Sequence, residues 1–197
     1  MTLENLLAIR QLQAHSPEPI SLRKLLHAAR RNLADARFDQ ISADNRFDAG
    51  YKCVMQCAMI GLWSSGYRTS NSQPGHHQTA IQCLIHTMGV SKDDIIVLDA
   101  LRRQRNLTDY EGDPVSDATL QACIDHAADL LLHTEQWLHE RHPNVVELEP
   151  VIAGFPTRQT STGPDGHGAD SFAVDLVVQP TNACSLNGLF SEQRSTE

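Results

Sequence analysis

Apolar side chains recur at spacings of three and four along residues 1–142, the period of helices laid against a core. Leu3, Leu6, Leu7 and Ile9 predict a short amphipathic helix over residues 2–13, broken by His15-Ser-Pro-Glu-Pro19. Ser21 is placed to cap a second helix running to Phe38, with Leu22, Leu25, Leu26, Ala29, Leu33 and Ala36 in one stripe. Lys24, Arg30, Arg31 and Arg37 lie off that stripe and read as a solvated face. Ser42 or Asp44 opens a third helix with Phe47, Tyr51, Val54, Met55, Ala58, Leu62 and Trp63 on its apolar face. Ala49, Gly50, Cys53, Cys57, Ala58 and Gly61 admit close neighbours and make this the expected central helix, stopped at Gly66. Tyr67–Gly75 reads as a polar loop. His76-His77 start a helix to Met88, and Ser91 caps the next. Ser116 caps a last helix over 117–140 with Leu120, Cys123, Ile124, Ala127, Leu131, Thr134 and Leu138 buried, leaving His126, His133 and His139 facing solvent.

The pattern changes after His142-Pro143. Val145–Phe155 is open to two readings, a short strand or a segment lying on the bundle, and 159–170 reads as a Gly/Ser/Thr linker. Ser171–Val178 has strand character without a sheet to join. The expected fold is therefore an all-α antiparallel bundle of five to six helices over 1–142, with an acidic, poorly ordered tail over 143–197.

Composition narrows the function. The net charge is −8, which argues against a general polyanion binder while allowing a local basic patch. The bundle is close to balance, with 17 acids and 14 bases, and the tail carries 7 acids and 2 bases. No apolar run approaches the roughly 18 residues that span a bilayer, and the N-terminus does not read as a signal peptide. Of the five cysteines, Cys53, Cys57, Cys83 and Cys123 fall on apolar helical positions. Cys53 and Cys57 with Cys83 or His86 resemble a ligand set only loosely, because no Cys-x-x-Cys knuckle exists. No metal or cofactor is expected, and the compartment reads as reducing and cytoplasmic.

The fifth helix carries the chemistry. After Ile95-Ile96-Val97-Leu98 it packs Arg102, Arg103, Arg105, Asn106, Asp109 and Tyr110 into nine positions and stops at Gly112-Asp113-Pro114. Asp99 with Arg103, and Arg105 with Asp109, stand four apart, so a salt-bridged helix end explains the stretch equally well. His76-His77 at a helix start fit either phosphate binding or simple capping and packing.

These residues resemble the HEPN superfamily, small helical bundles that usually dimerise and of which many are metal-independent RNA endonucleases or toxins. Their mark is Arg-x(4–6)-His, in toxins commonly Arg-Asn-x-x-x-His-x-Tyr. Here Arg105-Asn106-Leu-Thr-Asp109-Tyr110 supplies the arginine and asparagine, and no histidine follows at that spacing. A group of bacterial HEPN-like proteins is similar over residues 3–140, through Leu33–Ala36, Gly66-Tyr-Arg68, Gly75-His-His77 and Leu98–Tyr110; residues 143–197 have no counterpart. The resemblance implies catalytic roles for Arg105, Asn106, Asp109 and Tyr110, and ligand contacts from Arg102, Arg103, Arg68, His76 and His77. It further implies a homodimer, RNA as ligand, and, in the toxin case, a nucleotidyltransferase antitoxin that modifies Tyr110. Metal-free cleavage needs a base, an acid and a cation against developing phosphorane charge. Arg105 suits the cation, whereas Tyr110 with a pKa near ~10 is a poor base at neutral pH and Asp109 near ~3.9 a poor acid. Three expectations follow: an RNA- or nucleotide-binding regulatory module, an endoribonuclease toxin, and a structural dimerising adaptor.

Overall fold

A computed structural model describes residues 2–70 and 74–146. Seven helices and two short strands occur among them: α1 (Leu3–Ala8), β1 (Leu12–Ala14), α2 (Pro19–Arg37), α3 (Ala43–Ser64), β2 (Tyr67–Thr69), α4 (His76–Thr87), α5 (Lys92–Glu111), α6 (Asp117–Arg141) and α7 (Pro143–Val146). The fold is an all-α bundle. The expected tail, with its linker and second strand segment, lies outside the described residues beyond Val146.

The helices start where capping chemistry allows. Ser42, Ser91 and Ser116 each accept a hydrogen bond from the backbone N–H three residues on, satisfying a donor that has no partner within the helix. Gly112 ends α5 at φ +74°, a conformation costly for any residue with a Cβ.

The third helix is the centre of the bundle and packs on α2, α4, α5 and α6. Its small residues make this possible. A Cβ on Gly50 would stand 3.0 Å from Cys123 Sγ on α6, and one on Gly61 would stand 2.9 Å from Thr87 Oγ1 and 3.1 Å from Met88 Cγ. Cys53, Cys57, Cys83 and Cys123 are fully buried. Burial pushes the Cys83 thiol up to about 11 and Cys123 up to about 12, which keeps both as apolar filler.

Several expectations are corrected. The helix over 2–13 stops at Ala8: Arg10 takes φ +62°, and Leu12–Ala14 pairs antiparallel with Tyr67–Thr69 of the expected polar loop. Six helical residues gain little alone, and the long-range ladder buries Leu12 to 1% exposure. The second helix begins at Pro19 and not at Ser21, with proline preset for the first turn. Of the segment 145–155, Val145 and Val146 lie in α7, with Val145 buried, and the rest falls outside the described residues. His126 and His133 are partly buried, and the His133 ring meets the Met88 carbonyl at 2.8 Å.

Candidate functional site: the Arg105–Tyr51–His77 cluster

The fifth helix divides its polar residues between two faces. Asp99, 9% exposed, holds Arg102 and Arg103 from one and the same turn. Arg102 Nε donates to Oδ1 at 2.7 Å, and Arg103 donates to Oδ2 through Nε at 3.0 Å and Nη2 at 2.7 Å. Burial alone would raise the Asp99 carboxyl, but the two guanidinium groups bound to it hold it below its usual value. Arg102 is largely covered, while Arg103 stands in solvent.

One turn on, Arg105 leans inward. Its Nη2 pairs with Asp109 at 2.9 Å and its Nε with Asp48 of α3 at 3.4 Å. Its Cζ lies 5.7 Å from the ring centre of Tyr51, a cation over a π face. Tyr51 is 1% exposed, and its hydroxyl meets His77 Nδ1 of α4 at 3.2 Å. Burial raises the phenol well above its ordinary value. His77 is pushed down to about 4, first by burial and then by the nearby charges of His76, Arg105 and Arg102. Its ring is therefore neutral near pH 7. His76 packs edge-on against it, with ring centres 4.5 Å apart.

Tyr51, His77 and Arg105 open on one cleft of about 280 Å³, with Met55 and Met59 in its wall and Lys52, Asp48 and Gln56 among its polar groups. Lys52 Nζ pairs with Asp48 at 2.6 Å. Lys52, Arg102, Arg103 and Arg105 thus meet Asp48, Asp99 and Asp109, so the cluster is nearly self-neutralised.

The expected site residues separate accordingly. Arg105, Asp109, Arg102 and His77 come together, with exposed His76 stacked on His77. Asn106 and Tyr110 point away into solvent, Tyr110 at 85% exposure. Arg68 lies on the strand pair, bonded to Gln13 at 3.1 and 3.3 Å, and is not among the residues lining the cleft. Sequence reasoning missed Asp48, Tyr51 and Lys52 as site residues. Tyr51 sits on an apolar stripe, and an acid and a lysine four apart read as an ordinary surface pair.

What fold and site define is a helical bundle whose arginine-bearing helix docks on a buried tyrosine and the half-buried histidine it meets. No protein-family model matches the chain, and no curated protein matches its sequence.

Proposed function

We propose that the chain is a HEPN-like regulatory protein that binds the phosphate of RNA or of a nucleotide at the Tyr51 cleft. The observation that carries this reading is the convergence of Arg105, Lys52 and His77 on one cleft, with Tyr51 and two methionines as an apolar wall. Arginine suits a phosphate because its fork of donors matches two oxygens at once. The two acids already paired with Arg105 make the incoming anion a competitor, which favours moderate affinity and reversible binding. Fluorescence anisotropy with a labelled single-stranded RNA tests it. Binding is expected at low salt, to weaken steeply as salt rises, and to fall about tenfold or more in Arg105→Ala. Absence of binding by the wild type at low salt removes this reading.

The second reading, a metal-independent endoribonuclease toxin, is favoured by one feature: His77 stands across Tyr51 from Arg105 and offers the imidazole missing from the motif. A ring with a pKa of about 4 is neutral near pH 7 and supplies a weak base but no ready acid. That deficit favours binding over cleavage. Growth arrest by the wild type, relieved by His77→Ala with soluble protein present, would reverse the preference. A nucleotidyltransferase antitoxin acting on the exposed Tyr110 belongs to this reading alone, as does a strictly catalytic use of Asn106 and Asp109. Both readings place the protein in the cytoplasm, and no described helix is long and apolar enough to cross a membrane.

A homodimer fits the outward face of α5. Ile96, Ala100, Arg103, Leu107 and Tyr110 recur at four and three, and all are exposed. An antiparallel seam between two copies sets Ile96 against Leu107, Ala100 against Arg103 and Asp93 against the Tyr110 hydroxyl, so the face complements itself. Ile96→Glu is expected to shift sedimentation from dimer to monomer with helicity unchanged. A monomeric wild type at ~100 µM removes the dimer, since such a seam should hold at micromolar affinity.

A further inference from the structure

The opposite end of α3 holds a second cluster that the motif helix does not touch. Ser64 lies thirteen residues from Tyr51, about 20 Å along the helix axis at 1.5 Å per residue. Two clefts meet there and share Ser64 and His142. One is about 240 Å³ and is bounded by His15 and Trp63; the other is about 570 Å³ and is bounded by His86, Trp137 and Arg141.

Three observations set the chemistry. First, no acidic side chain among the described residues lines either cleft, although the chain carries a net charge of −8. Arg141, His86, His15 and His142 supply the polar character instead, and Arg141 has no acidic partner among the described residues. Second, both tryptophans of the protein lie here, half-buried, each meeting an imidazole: His15 with Trp63 at 4.7 Å and His142 with Trp137 at 5.0 Å between ring centres. Such surfaces receive planar rings, because every base offers a π-face to stack. Third, His15 Nε2 and Ser64 Oγ are covered from solvent and make no hydrogen bond with any described residue. Buried polar atoms nearly always have a partner, and two such atoms in the residues lining one cleft mark a place for a ligand's donor and acceptor.

We propose that this double cleft binds a nucleoside monophosphate. Its planar base lies against Trp63 and Trp137, its edge groups meet Ser64 and His15, and its phosphate meets Arg141. A lone phosphate would leave the aromatic walls and both unpartnered atoms unused. A duplex or long strand does not fit clefts of a few hundred Å³, the size range of small-molecule sites. Slight displacements of the His15 ring and of the Ser64 side chain are needed to expose Nε2 and Oγ, so the edge-to-face contact of His15 with Trp63 changes on binding.

The two tryptophans report on the site directly. Titration of the full chain with AMP, excited at the red edge of tryptophan absorption, is expected to quench fluorescence to saturation. Arg141→Ala, an exposed change, should weaken AMP about tenfold, the loss of one charge-assisted contact, and leave adenosine unchanged. Ser64→Ala should weaken both. Inorganic phosphate alone should quench little. Arg105→Ala should leave the tryptophan-reported midpoint unmoved even where it weakens phosphate binding at the Tyr51 cleft, because Tyr51 lies far down α3. Quenching that never saturates, a midpoint indifferent to Arg141→Ala, or a midpoint moved by Arg105→Ala and not by Arg141→Ala would overturn the proposal. The last outcome would place the nucleotide at Tyr51 instead.

Discussion

The two ends of α3 hold cations in opposite ways. At the Tyr51 end, Arg102 and Arg103 share Asp99, and Arg105 and Lys52 share Asp48. At the Ser64 end, Arg141 lines a cleft that has no acid among the described residues. The arginine-rich motif is the more eye-catching in sequence, yet it is the end whose charge is already spent within the fold. At the quieter end Arg141 has no acidic partner among the described residues. Charge counted along a chain therefore locates a basic stretch without saying whether a ligand can use it. The geometry of pairing decides that, and pairing differs here because α5 carries its own acids one turn from its arginines.

Breaking the pairing at the motif end should have the largest effect. Asp99→Ala leaves Arg102, whose side chain is 17% exposed, with a largely covered charge and no partner. Removing one member of such a pair costs about 3 kcal/mol, and urea denaturation should show a clear drop in midpoint. Asp99→Asn should lose less, because its amide oxygen still accepts one hydrogen bond. Arg141→Ala at the other end should change stability by under about 0.5 kcal/mol, as exposed substitutions usually do. Equal losses at the two ends would erase the contrast drawn between them.

The same contrast explains what could be read in advance. The stripe Leu22, Leu26, Ala29, Leu33 and Ala36 is buried as its spacing predicts, and Ser42, Ser91 and Ser116 cap where expected, because those features are local. The central place of α3 followed from its small residues for the same reason. The strand pairing of Leu12–Ala14 with Tyr67–Thr69 depends on partners more than fifty residues away, and no local period announces it. The site was half legible. Arg105 and Asp109 stand in a motif, and a His76-His77 pair at a helix start fits phosphate binding or simple capping. The tyrosine that joins them does not stand out, because a buried tyrosine on an apolar stripe looks like any other core residue. The two clefts at Trp63 and Trp137 left no trace either, since His15, Ser64 and Arg141 come from three separate stretches of the chain.

A middle-sized effect should appear with pH, and it separates two groups within the motif end. His77 falls to about 4 in the folded protein, whereas an unfolded histidine titrates near ~6.5. Between those values the unfolded chain binds more protons, so stability is complete above about 6.5 and declines as pH falls toward 4. Half-exposure of His77 and solvent screening keep the decline below the full linkage value. Asp99 acts in a lower window. Its carboxyl is held below the usual range, so its contribution is present above about 4 and is lost only in stronger acid. Urea midpoints measured from pH 8 to 4 should slope downward below 6.5 in the wild type and much less in His77→Gln. A slope unchanged by that substitution would mean that the Tyr51–His77 contact does not govern protonation here.

The smallest effect is expected at Tyr110, and its smallness is what makes it useful. The side chain is 85% exposed, so Tyr110→Phe removes a hydroxyl that water already solvates in both folded and unfolded chains. Stability should move by less than about 0.5 kcal/mol. Tyr51→Phe differs by the same single atom yet strips a buried hydroxyl from His77 Nδ1, which costs about 1 kcal/mol or more. A change in growth or RNA binding on Tyr110→Phe would then come from chemistry at that hydroxyl and not from unfolding. The paired variants thus separate the outward half of the motif, free to act on a partner, from the inward half that holds the bundle together.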